Sequence, residues 1–310
     1  MDRYNGILPV HKEAGPTSHD VVNRVRRLTG AEKVGHTGTL DPMATGLLLL
    51  CLGSATKLSR FISDWDKRYL AEVTLGQKSD TMDGDGHLEA SGPVPDLTEA
   101  DVRNVLSRFT GRITQTVPAY SAVKLDGRRM YDYARKGKVV AAPEREVEIK
   151  SLELKSFEPP RMEIEALCSK GTYIRSLADD IGRELGCGGY LSALKRLAVG
   201  PFEATAALSV DEIAKRHEAD ELAGVILPVE QVLDFPVVRT RTQARELIRH
   251  GAIMGGDDIL GWPGGFAAGD LISVADERGI ILAIGRSKYD ADCARAQGTG
   301  DFFSYVRVLI

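Results

Sequence analysis

The 310-residue chain has four cysteines, Cys51, Cys168, Cys187 and Cys293, and no two of them form a Cys-x-x-Cys pair. That scatter signals neither a disulfide framework nor a zinc site, and the thiols read as small apolar packing groups. No apolar run reaches the roughly 18 residues of a membrane-spanning helix. The amino terminus, with Asp2 and Arg3 ahead of Gly6-Ile7-Leu8-Pro9, lacks a signal-peptide pattern, so a cytoplasmic location is expected. A basic excess is also missing: 40 Lys and Arg stand against 44 Asp and Glu, a net charge of −4, which argues against a generic nucleic-acid-coating role. No glycine fingerprint of a nucleotide fold and no ligand cluster is seen, so neither cofactor nor metal is expected. Asp80-Thr81-Met82-Asp83-Gly84-Asp85-Gly86 looks like a calcium loop only superficially. Counted from Asp83 it puts His87 at the fifth position, and counted from Asp80 a methionine at the third.

What the chain does hold is concentrated between Gly35 and Gly53. Gly35, Gly38, Gly46 and Pro42 surround Asp41, and Leu47 to Leu52 follow as a dense apolar run. The run suits a fully buried strand, although periodicity alone does not separate it from a buried helix segment. Asp41 is thereby placed at a loop edge beside a rigid core, with glycines permitting positive φ or close approach and Pro42 fixing the backbone after the acid. On composition alone the simpler reading is that Asp41 caps a turn.

The remaining pattern is mixed. Gly6 to Val10 reads as a strand, and Ser18 as the cap of a helix with a Val21, Val22, Val25 and Leu28 stripe that stops at Gly30. Ser54 is expected to cap a helix carrying Leu58, Phe61 and Ile62, after which Leu70 to Gly76 alternates as a strand entered by Tyr69. A capping-box helix spans Thr98 to Phe109. Strands are expected at Val147–Leu154 and Met162–Cys168, then a helix through Leu177, Ile181 and Leu185 ended by Gly186. The acidic Asp211–Glu230 segment reads as a peripheral helix and a linker. Beyond Phe235, a helix at Ala244–His250 and short strands at Leu271–Ala275, Ile280–Ile284 and Phe303–Leu309 give a small β-barrel pattern. Charge is unevenly spread: residues 1–69 carry ten basic against seven acidic groups, and residues 118–146 seven against four, each +3. Lys124, Arg128, Arg129, Arg135, Lys136 and Lys138 interleave with Tyr131 and Tyr133, which suits RNA phosphates and bases, or a solvated amphipathic helix.

His36-Thr37-Gly38-Thr39-Leu40-Asp41-Pro42 with Ala44-Thr45-Gly46-Leu47-Leu48 resembles the catalytic motif of the TruB family of tRNA pseudouridine synthases. Gln115-Thr116-Val117-Pro118-Ala119-Tyr120-Ser121-Ala122-Val123-Lys124, Gly171-Thr172-Tyr173-Ile174-Arg175-Ser176-Leu177 and Leu191 to Phe202 are similar to further motifs of that family. Glu13 and Val117 stand where the family pattern has proline. The resemblance covers about residues 6–200.

It implies an α/β (α+β) pseudouridine synthase fold, a mixed and mainly antiparallel sheet flanked by helices, in residues 1–232, with an RNA-gripping flap at about 120–145. Residues 233–310 would form a small PUA-like β-barrel for RNA, although nine basic and nine acidic groups after Phe235 leave its charge there neutral. The implied reaction isomerises uridine 55 in the tRNA T-arm by base flipping, without cofactor or metal. Asp41 would be the catalytic carboxylate and Arg175 its cation. His36 would rearrange the target's stack, Tyr69 and Tyr173 orient the base, and Leu194 line the pocket. Asp83 would join the hydrogen-bond network, and Lys12 and Lys124 contact phosphates. A monomer needing no protein partner is expected. A synthase aimed at ribosomal RNA, or a non-catalytic tRNA-folding chaperone, are the alternatives.

Overall fold

The computed structural model of the chain describes residues 3–310 apart from 122, 126, 139, 263, 298 and 299, with the backbone alone at 129, 256, 295–297 and 300. Asp2, Ala122 and the side chain of Arg129 therefore lie outside the described residues.

A nine-stranded sheet organises residues 6–203. Its strands are β1 (Gly6–Lys12), β2 (Val34–His36), β3 (Thr45–Leu52), β4 (Lys67–Leu75), β5 (Gly111–Thr116), β6 (Glu144–Glu158), β7 (Arg161–Cys168), β8 (Gly189–Val199) and β9 (Phe202–Glu203). Hydrogen bonding runs β1-β3-β8-β4-β7-β6-β5, with β2 on β3 and β9 on β8. The β3–β8 pair is parallel and the other ladders are antiparallel, the mixed, mainly antiparallel sheet expected. Helices α1 (Ser18–Thr29), α2 (Glu99–Arg108), α3 (Ile174–Glu184) and α4 (Val210–Glu218) accompany it.

The Leu47–Leu52 run is a strand buried on both faces, which removes the polar alternation of a half-exposed strand. Leu48, Leu50 and Leu52 join one core with Val21, Val22 and Val25 of α1 and Leu177 and Ile181 of α3. Leu47, Leu49 and Cys51 face the other way, into a core shared with Ile281, Ile284 and Leu309. Those last residues belong to, or directly follow, a second sheet of β10 (Val237–Thr240), β11 (Ile259–Gly261), β12 (Leu271–Ala275), β13 (Ile281–Ser287) and β14 (Phe303–Val308), ordered β11-β10-β12-β13-β14. Among the described residues no ladder joins its outer strands, so the five-stranded sheet is shown and closure into the barrel expected from the strand pattern is not.

Three local expectations are corrected. Ser18 does not cap α1: Thr17 does, in a capping box with Asp20, which frees the Ser18 hydroxyl for another contact. Ser54 caps no helix: Gly53–Leu58 form a 3-10 helix in which the Ser54 hydroxyl bonds Asn5, and the expected helix is the short Ser59–Ser63, which carries Phe61 and Ile62. The segment after α4 is not a free linker, because Leu227 bridges Ile7 of β1 and Leu222, Ile226, Val229, Val232 and Leu233 are buried. The excursion between β5 and β6 is closed at its base by the Val117 amide donating to the Pro143 carbonyl at 3.0 Å. It carries a hairpin, Lys124–Leu125 against Arg128–Arg129, and a one-turn helix, Met130–Ala134, whose Met130 is buried.

Gly46 is required where β3 meets β8. Its φ is +98°, and a Cβ there would lie 2.3 Å from the Arg196 carbonyl oxygen. Gly46→Ala is expected to lower stability by about 2–3 kcal/mol, read from the denaturant midpoint, because strain and clash fall on the same residue.

Candidate active site

The Asp41 loop joins β2 to β3 and is held from three sides. The Ser18 hydroxyl donates to the Leu40 carbonyl at 3.0 Å and accepts from the Leu40 amide at 2.8 Å. The Lys12 ammonium donates to the carbonyls of Glu13, Pro42 and Ala44 at 3.0, 3.0 and 2.7 Å. From β8, the Arg196 guanidinium donates to the carbonyls of Leu47 (2.7 Å), Gly38 (3.1 Å) and Thr39 (3.4 Å). Backbone groups on both sides of Asp41 are thus satisfied by neighbouring side chains, and the loop is rigid without regular structure of its own.

Asp41 reaches Arg175 in this frame, its Oδ2 lying 3.0 Å from Nε. The Arg175 side chain is 6% exposed and occupies the first turn of α3. Its Nη1 meets Asp83 Oδ2 at 3.1 Å and the Thr81 carbonyl at 3.2 Å, and Nη2 donates to the Tyr120 carbonyl at 3.0 Å. One cation is therefore shared by two carboxylates. Asp83 is fixed in turn: its Oδ1 accepts from the Thr81 hydroxyl at 2.5 Å and the Asp85 amide at 3.2 Å, and the Gly84 amide docks on the Leu191 carbonyl of β8. No side chain caps α3 at Tyr173. Buried Gln115 of β5 instead holds Tyr173 itself, accepting from its amide at 3.0 Å and donating to its carbonyl at 3.1 Å.

A cleft of about 400 Å³ opens on this group, lined by His36, Asp41, Tyr69, Tyr173, Arg175 and Leu194 among others. The volume falls within the range of small-ligand sites. Burial raises the Asp41 pKa above the ordinary carboxylate value; the Arg175 charge opposes that rise without cancelling it, while Asp83 and Asp85 add to it. Burial and the nearby Arg196 charge lower the His36 pKa, leaving the imidazole neutral at pH 7. Burial raises the Tyr69 pKa, so the phenol keeps its proton. Burial also pushes the lysines down, Lys12 to about 8 and the cleft-lining Lys67 to about 8.

Comparison with known proteins decides the family. The TruB family pseudouridylate synthase N-terminal domain model matches residues 26–174, and the tRNA pseudouridylate synthase B C-terminal domain model matches residues 175–234. A tRNA pseudouridine synthase B from Halalkalibacterium halodurans is 42% identical over 90% of this chain and 91% of its own length. The chain belongs to the TruB family. A tRNA pseudouridine synthase B from Xanthomonas oryzae pv. oryzae is 46% identical over 74% of this chain and 76% of its own. Among solved structures, a chain of a Cbf5-Nop10-Gar1 complex aligns with a TM-score of 0.76 at 25% identity, covering 98% of this chain and 85% of that one.

Of the residues that the TruB resemblance singled out, His36, Asp41, Tyr69, Tyr173, Arg175 and Leu194 line one cleft. Asp83 lies behind Arg175, 5% exposed at its side chain, and reaches the cleft only through that guanidinium. Lys124 sits exposed on the hairpin of the excursion. Lys12 is a correction: it is fully buried and its ammonium is spent on three loop carbonyls, so no face is offered to a phosphate. Arg196 and Gln115 had no assigned role in the sequence reading. The signal for Arg196 was present, since Leu194, Arg196 and Ala198 share the inward parity of β8 and an arginine at such a position needs buried acceptors. Gln115 carried no comparable signal.

Two outcomes test this site. Arg175→Lys is expected to lower kcat by about 10²–10³-fold, because a single ammonium cannot serve Asp41, Asp83 and two carbonyls from the fork geometry of a guanidinium. The second concerns pH. A folded pKa above the unfolded one means that the Asp41 proton stabilises the fold at low pH, and that this contribution disappears as the pH rises through the folded pKa. Asparagine never ionises and still accepts from Arg175 Nε. Asp41→Asn should therefore melt above the wild type at pH 7–8, with the gap narrowing toward pH 4 in calorimetric scans.

Proposed function

We propose that this TruB-family chain is a tRNA pseudouridine synthase acting on uridine 55 of the T-arm, with Asp41 as the catalytic carboxylate. Substrate and product are isomers. The bond between C1′ and N1 breaks, the uracil turns in place, C5 joins C1′, the C5 proton leaves and N1 gains one. Atoms and electrons balance with no donor or acceptor, so the chemistry asks the protein for positioning and charge alone.

The observation that carries the reading is the Asp41–Arg175 contact at 3.0 Å in a cleft walled by two tyrosines and a leucine. Departure of the base builds positive charge on the sugar. A carboxylate that desolvation has made more basic than usual is well suited to meet it, whether as a charge, a nucleophile or a base. The flat faces of Tyr69 and Tyr173 and the apolar edge of Leu194 would replace the stacking lost when the uridine leaves its RNA. Neutral His36, at the end of β2 on the rim of this loop, suits insertion among bases, where a fixed charge would be costly.

Residues 118–146 carry +3 and would grip the RNA backbone, with exposed Lys124 at the hairpin. Residues 1–232 would form the catalytic unit and residues 233–310 a PUA-like unit that adds RNA contacts. The protein would act in the cytoplasm as a monomer without cofactor or protein partner.

Incubating the purified chain with an unmodified T-arm hairpin should convert one uridine to pseudouridine, detected by mass spectrometry after chemical derivatisation. Asp41→Asn should abolish conversion while hairpin binding is retained. Conversion of ribosomal RNA fragments but not the hairpin would overturn the tRNA assignment, and an unchanged cellular role for Asp41→Asn would favour the chaperone.

A further inference from the structure

Ser121 stands in the wall of the same cleft, 5% exposed, and its Oγ has no hydrogen-bond partner among the described residues. The hydroxyl is not loosely placed. On one side the Tyr120 carbonyl accepts from Arg175 Nη2 at 3.0 Å. On the other the Ser121 carbonyl accepts from the Tyr131 amide of the excursion helix at 3.1 Å. The backbone is therefore tied at consecutive residues to the central cation and to the excursion, and the side chain between them is held against the cleft.

A buried hydroxyl without a partner costs stability, on the scale of an unmade hydrogen bond. A residue used only for packing would avoid that cost as alanine, which has the same shape without the oxygen. His36 Nδ1, on another wall of the cleft, is likewise buried without a partner. Two residues that line one cavity thus each hold a buried polar atom without a partner among the described residues, and the proposed occupant, an extruded uridine, is rich in donors and acceptors: N3–H, O2, O4 and the 2′-hydroxyl. A serine hydroxyl both donates and accepts, so it can pair with any of them.

We propose that Ser121 Oγ is a substrate-binding group that hydrogen-bonds the extruded nucleoside, its unmet capacity in the free protein being satisfied by the RNA. The assignment rests on the pseudouridine synthase reading above. Because Tyr131 holds the Ser121 carbonyl, it also places one nucleoside contact on the segment that would grip the RNA backbone, so excursion and cleft recognise the substrate through consecutive residues.

The test compares wild type, Ser121→Ala and Ser121→Thr on the T-arm hairpin, with melting temperatures measured alongside. Expected is a fall in kcat/KM of about tenfold for Ser121→Ala, the factor that one neutral hydrogen bond supplies. Its melting temperature should be unchanged or higher, since an unsatisfied polar atom has been removed, and Ser121→Thr, which keeps the hydroxyl, should recover part of the loss. An inactive wild type would sink the enzyme reading itself. With an active wild type, either an unchanged kcat/KM for Ser121→Ala, or a loss matched by a melting temperature several degrees lower, would overturn the assignment.

Discussion

The site depends on one guanidinium shared between two carboxylates. Arg175 cannot shed its proton, so its burial must be compensated by anions and carbonyls placed to fit its fork. Asp83, Thr81 and Tyr120 supply three of those contacts from behind, which leaves Nε for Asp41. The division matters because the two acids differ in access: Asp83 is 5% exposed at its side chain and Asp41 is 34% exposed. The buried acid balances the cation, and the accessible one is available to a substrate. Were Asp41 the sole partner, any step that altered its charge would strand a bare cation in the interior. With Asp83 in place, Asp41 can change its interactions while Arg175 remains paired.

That arrangement asks for precision from a loop, and the fold supplies it through the β3–β8 contact. Arg196 meets Gly46 across the parallel ladder, and its side chain turns back to hold Gly38, Thr39 and Leu47. A residue 155 positions away in sequence thus fixes the approach to Asp41 (196 − 41 = 155). The cations around the carboxylate do different work. Arg196 and Lys12 spend their donors on carbonyls and shape the loop; among the described residues, Arg175 is the cation that contacts the acid. Burial lowers the Lys12 pKa more than the Asp41 charge raises it.

Much of this was legible in the order of residues, for identifiable reasons. The strand at Leu47–Leu52 and helices α1 and α2 follow from apolar pattern and caps, which are local. The union of Asp41, Tyr69, Tyr173, Arg175 and Leu194 was accessible only through the family resemblance, because no periodicity relates positions so far apart in the chain. What failed did so where a side chain chose a partner distant in sequence. Ser18 was read as a cap because it precedes an apolar stripe, but Thr17 with Asp20 makes the better box and Ser18 is taken by Leu40. Lys12 was expected at a phosphate through the family resemblance, whereas its ammonium is taken by the carbonyl of Glu13 and by two carbonyls of the Asp41 loop, Pro42 and Ala44. The strands expected after Phe235 are present, and strand count does not by itself specify closure into a barrel.

The two-faced burial of β3 constrains how the role of residues 233–310 can be established. Leu47, Leu49 and Cys51 share a core with Ile281, Ile284 and Leu309, while Leu48 and Leu50 on the opposite face pack toward α1 and α3. The strand that leaves the Asp41 loop is thus sandwiched between the catalytic core and the second sheet. Removing residues 233–310 would expose three fully buried side chains of that strand, at a cost of about 1.5–3 kcal/mol for each large aliphatic. Loss of activity in such a truncation would follow from a loosened Asp41 loop even if the second sheet never touched RNA. A contribution to RNA binding is separable only by surface changes that spare this core, such as reversal of the exposed Arg239 or Arg249, with affinity read as a function of salt. A change in salt slope with the melting temperature unaltered would belong to the RNA interface; a change in both would belong to the shared core.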